Sequence, residues 1–138
     1  NYTERDLANH SDLSSDRWSG NSKNFVDERI ASFDLQDTCM TIEGDIVKSL
    51  PEFIKKPSSR FTKSGFFCRL IYIDTSAYDP AKLSIEILFD YLVPGGILAI
   101  DQKKQGGEWK AIVEYASENN LELTTSSKFN STPAYIVK

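Results

Sequence analysis

Three aspartates mark where this sequence could do chemistry: Asp45, Asp74 and Asp101. Each follows a short stretch with strand character, at residues 38–43, 69–73 and 97–100. In an open parallel sheet, ligands bind beyond the carboxyl ends of the strands. One acid at such a place often just caps the next helix or turns the chain. Three at one edge repel unless a cation or bound hydroxyls separate them. A hard divalent ion such as Mg²⁺, with oxygen ligands, suits that arrangement.

Other reactive residues carry less. His10, Cys39 and Cys68 are too few and too scattered for a structural zinc site or a disulfide framework. Both cysteines read as buried strand residues in a reducing, cytoplasmic setting. The serines have no neighbouring histidine base, so a serine nucleophile is not expected. The glycines make neither a G-x-G-x-x-G loop nor a P-loop. Trp18 is an aromatic in a polar arm, placed to dock on the core or to cover a ligand.

The elements that position the acids follow from periodicity. Residues 1–20 are polar and read as a loop or lid. A helix is expected over 21–34, with Phe25, Val26, Ile30 and Phe33 near one face and Asn21 or Ser22 as its cap. Residues 38–43 read as a strand ending at Gly44-Asp45. Ser49-Leu50-Pro51-Glu52 has capping-box spacing and predicts a short helix to about residue 56. The continuous apolar run 70–73 predicts a strand buried on both faces. Asp79-Pro80 opens a helix through Leu83, Ile87, Leu88, Tyr91 and Leu92, and Pro94-Gly95-Gly96 is expected to end it. Residues 97–100 form the next buried strand. Gly106-Gly107 opens a helix with Trp109, Ile112, Val113 and Ala116 on one face. Residues 121–125 and 134–137 read as a closing antiparallel hairpin. Alternating strands and helices give an α/β fold with a mainly parallel sheet.

Composition sets the outer limits. The chain has 138 residues, a formal net charge of −4 and 40% hydrophobic residues. One domain spanning 1–138 with a real core is expected. The acidic balance argues against nucleic acid as partner. No apolar run is long enough for a membrane-spanning helix.

The segments Leu70-Ile71-Tyr72-Ile73-Asp74-Thr75-Ser76-Ala77-Tyr78-Asp79-Pro80 and Leu92-Val93-Pro94-Gly95-Gly96-Ile97-Leu98-Ala99-Ile100-Asp101-Gln102 carry a family likeness. With Trp18-Ser19-Gly20, Gly44-Asp45 through Leu50-Pro51, and Gly107-Glu108-Trp109, they resemble the macrocin O-methyltransferase (TylF-like) family. Those are class I S-adenosylmethionine-dependent methyltransferases with a Rossmann-like sheet. The resemblance implies a small-molecule, sugar-like hydroxyl as methyl acceptor and a homo-oligomer. It implies Asp74, Asp101 and Gln102 as Mg²⁺ ligands, with Asp74 also taking the substrate proton. It implies Asp45, Trp18 and Ser19 near the adenine of the methyl donor. Gln102 stands where the family has a second aspartate, which removes one negative charge. The family's glycine-rich loop and its first strands have no counterpart here. The chain is therefore expected to correspond to the back half of such a domain. The alternative is a non-catalytic module that completes its sheet with a partner or a second copy.

Overall fold

The computed structural model describes residues 22–55, 66–101, 106–125 and 134–138. Their order is α1 (Lys23–Ser32), α2 (Ile46–Lys55), β1 (Cys68–Ile73), α3 (Tyr78–Leu88), a 3₁₀ turn (Phe89–Tyr91), β2 (Leu92–Ile100), α4 (Gly106–Glu118), β3 (Leu123–Thr125) and β4 (Ala134–Val137). The four strands form one sheet in the order β1-β2-β4-β3. β1 and β2 run parallel, while β4 runs antiparallel to both β2 and β3. The α/β class is as expected. The described sheet is mixed rather than mainly parallel, because the closing hairpin places β4 directly against β2.

The core lies on one face of this sheet. Ile71, Ile73, Leu98, Ile100, Ala134 and Ile136 point toward Tyr78, Ala81 and Ile85 of α3 and Ala111, Ile112 and Ala116 of α4. The spacing of three and four residues along each helix makes one apolar stripe. The strand period of two turns the intervening residues to the other face. There Leu70 is 63% exposed, Tyr72 53% and Val137 49%. The expected two-sided burial of residues 70–73 is thus corrected. Among the described strands β1 stands at the edge of the sheet, with one face covered.

Pro94-Gly95-Gly96 does not end a helix. It lies inside β2, where the pairing shifts: Cys68 is opposite Leu92, yet Leu70 is opposite Ile97. Gly95 takes φ +77, a conformation that suits glycine. Its N–H donates to the Lys138 carbonyl at 2.8 Å, and the Lys138 N–H donates to the Gly96 carbonyl at 3.0 Å. α3 instead stops at Leu88 and tightens into the 3₁₀ turn. The Lys138 ammonium donates to the carbonyls of Phe89 and Asp90 at 3.0 Å each, satisfying groups freed at the helix end.

Residues 38–43 form no strand; they are irregular and mostly exposed. The apolar pattern was present, but a strand needs a paired neighbour. Cys39 is correspondingly exposed, and Cys68 is half-buried in β1. α1 is capped by Ser22, as expected, yet buries none of its residues; Phe25 and Phe33 stand exposed. A hydrogen bond from Thr41 to Asp27 ties it to the following segment.

Candidate functional site

β1 and β2 pair in parallel with Ile73 opposite Ile100. The next residues, Asp74 and Asp101, therefore emerge side by side at the carboxyl edge. The Asp101 N–H donates to the Ile73 carbonyl at 3.2 Å, extending the tie one step past the ladder. Both aspartates are exposed, as a site open to ligand requires. Tyr72, two residues before Asp74, donates its phenol hydrogen to Asp101 Oδ1 at 2.5 Å. That bond holds the phenol protonated, and its pKa is pushed up to about 12.

The third acid is placed differently. With no strand at 38–43, Asp45 is not at the end of a sheet strand. It caps α2: its Oδ1 accepts the Val47 N–H at 3.1 Å, and its carbonyl accepts those of Lys48 and Ser49. The predicted helix start at Ser49 is thereby moved to Ile46. Beside Asp45 lies a cleft of about 390 Å³, lined by Ser22, Lys23, Val26, Thr41, Ile42, Glu43 and Gly44. Its size falls within the range of small-molecule sites. Trp18, Ser19 and Gln102 lie outside the described residues.

One acid at the carboxyl edge escaped the sequence reading. Glu108, in the first turn of α4, is fully buried. Its Oε1 accepts the N–H groups of Thr75 and Ser76, the latter at 2.6 Å. Burial pushes its carboxyl pKa up, against the pull of those two N–H donors. In sequence, a glutamate in a first helical turn reads as a surface charge favoured by the helix dipole. Only tertiary packing shows it to be inside.

The described residues by themselves do not make up a divalent-ion site. Among the described residues no three His, Cys, Asp or Glu side chains converge. Asp101 is already engaged by the Tyr72 phenol. No helix among the described residues is long and apolar enough to cross a membrane.

No known family profile matches the sequence, and no curated protein matches it. Solved structures do. The apo structure of CalS11, a TDP-rhamnose 3'-O-methyltransferase of calicheamicin biosynthesis, has a TM-score of 0.66 at 21% identity, over 87% of this chain and 54% of that one. The O-methyltransferase NovP has a TM-score of 0.65 at 18% identity, over 85% of this chain and 45% of that one. A second CalS11 structure has a TM-score of 0.59 at 17% identity, over 96% and 57%. The chain spans about half the length of each. The likeness establishes a shared fold: this α/β unit with its mixed sheet is built like part of those structures.

Proposed function

We propose that this chain supplies the acceptor side of an S-adenosylmethionine-dependent O-methyltransferase site, acting on a hydroxyl of a small, sugar-like molecule. The observation that carries the reading is the pair Asp74 and Asp101, adjacent and exposed at the carboxyl ends of parallel strands, on a fold shared with O-methyltransferases. A hydroxyl attacking a methyl group must lose its proton, and an exposed carboxylate within reach can take it. Asp74 is assigned that role, and Asp101 orients the acceptor through hydrogen bonds. When bound, S-adenosylmethionine supplies an electrophilic methyl group on a sulfonium. The cleft beside Gly44 and Asp45 is the place assigned to its adenosyl end, with Trp18 and Ser19 as further contacts. Of the ligands that the family resemblance implies for Mg²⁺, Asp74 and Asp101 are the two among the described residues.

The test is transfer of a labelled methyl group from S-adenosylmethionine to TDP-rhamnose and a panel of related deoxysugars. Turnover that falls at least a hundredfold in Asp74→Asn, with donor binding kept, supports the assignment. Equal turnover in Asp74→Asn refutes it. A second reading, a non-catalytic module that pairs through its sheet, is favoured by the exposed face of Leu70, Tyr72, Ile97 and Val137. It predicts self-association or partner capture with no transfer by any preparation.

A further inference from the structure

Among the described residues Glu108 is the one fully buried ionisable side chain. Burying a carboxylate is costly, and an apolar residue of the same size would sit there more cheaply. Its contacts indicate what the charge is for. Oε1 accepts from the N–H groups of Thr75 and Ser76, the two residues directly after Asp74. Oε2 is buried with no partner among the described residues. Ser76 takes φ +55, a left-handed conformation that costs a non-glycine residue energy and persists only where its surroundings enforce it. Successive backbone N–H groups in such a turn form a concavity that attracts an anion. Here a side chain from α4 fills it. On the other side, the Asp101 N–H holds the Ile73 carbonyl. Asp74 is therefore fixed from both flanks, by β2 before it and by Glu108 after it.

We propose that Glu108 is a positioning residue, which locks the turn 75–77 and so holds Asp74 beside Asp101 in the geometry that accepts a proton. The role assigned to Asp74 rests on the methyltransferase reading; the lock itself does not. Loop chemistry alone does not supply this rigidity. Within the turn the Thr75 hydroxyl donates to the Ala77 carbonyl at 3.2 Å, but the N–H groups of Thr75 and Ser76 find their acceptor on another element, α4.

Two variants of the full chain separate the acceptor from the bulk. Glu108→Met keeps the volume and removes the acceptor, whereas Glu108→Gln keeps one acceptor oxygen. Amide hydrogen exchange is read at Thr75 and Ser76, with Ile85 and Ile112 as reporters of the core. The expected result is exchange faster by about ten- to a hundredfold at Thr75 and Ser76 in Glu108→Met, with the core unchanged. Glu108→Gln stays within a few fold of the wild type. The ¹³C shift of the Asp74 carboxyl moves in the Met variant and returns in the Gln variant. In the transfer assay the Met variant loses about a hundredfold in kcat while KM for S-adenosylmethionine stays within a few fold. Unchanged exchange at Thr75 and Ser76 in Glu108→Met overturns the proposal. So does a Gln variant whose turn opens as far as the Met variant's. If Glu108→Met loses core protection as well, Glu108→Gln decides: a protected turn supports the lock, and an open turn on an intact core refutes it. Slow exchange at the turn in a wild-type chain without methyl transfer upholds the lock and refutes the function.

Discussion

The Tyr72 phenol and the Asp101 carboxylate meet at 2.5 Å on the open face of the carboxyl edge. Removing the carboxylate in Asp101→Asn replaces a charge-assisted bond by a neutral one. Charge-assisted bonds contribute about 1.5–3 kcal/mol when protected. Tyr72 is 53% exposed, so solvent screening reduces that to about 1 kcal/mol or less. Titration is the more sensitive readout. The bond favours the protonated phenol and, with burial and the Asp101, Asp74 and Glu108 charges, raises its pKa to about 12, above the ordinary value near 10. Because the folded value is the higher one, the stabilisation is complete below pH 10 and is lost as pH rises from 10 toward 12. The assay is a ¹³Cζ-tyrosine NMR titration, with Tyr72→Phe assigning the signal. In the wild type the Tyr72 resonance should still be protonated at pH 10.5. In Asp101→Asn its midpoint should fall from about 12 toward the ordinary value, held above it by burial and by the Asp74 and Glu108 charges. A Tyr72 phenol that titrates near 10 with Asp101 in place would refute the contact and the side-by-side placement of the two strand ends.

The glycines of β2 should part ways. Gly95→Ala meets nothing within 4 Å and costs about 1 kcal/mol for its positive φ. Gly96→Ala sets a methyl 2.7 Å from Leu92 Cγ and 2.8 Å from the Val93 carbonyl, costing about 2 kcal/mol or more. Urea unfolding of both variants checks the order. Asp45→Ala should cost about 1 kcal/mol by removing the cap of α2, while Asp45→Asn keeps the cap and the stability. A fall in S-adenosylhomocysteine affinity in the stable Asn variant would then report the charge at the cleft, separately from folding.

The acids at 74 and 101 were legible because short apolar runs that stop at an aspartate say both where a strand lies and where it ends. The hairpin of β3 and β4 and the helix at Gly106 were legible for similar local reasons. The strand expected at 38–43 was not formed, since period and residue type describe a willing strand but not the neighbour it requires. Pro94-Gly95-Gly96 misled because residues that stop a helix also permit a bulge. Choosing between them required the distant Lys138, whose backbone pairs with Gly95 and Gly96 and whose ammonium caps the turn before them. Glu108 was invisible for the same reason. Its partners, Thr75 and Ser76, are more than thirty positions away, and nothing in its local sequence marks it as buried.

The account turns on whether this chain meets the methyl donor. Isothermal titration of S-adenosylhomocysteine into the folded 138-residue chain tests that most directly, with and without Mg²⁺. The account predicts saturable binding in the micromolar range, independent of the metal and retained in Asp74→Asn. A folded, monodisperse sample that gives no binding heat under either condition contradicts it and leaves the sheet-pairing module as the better reading.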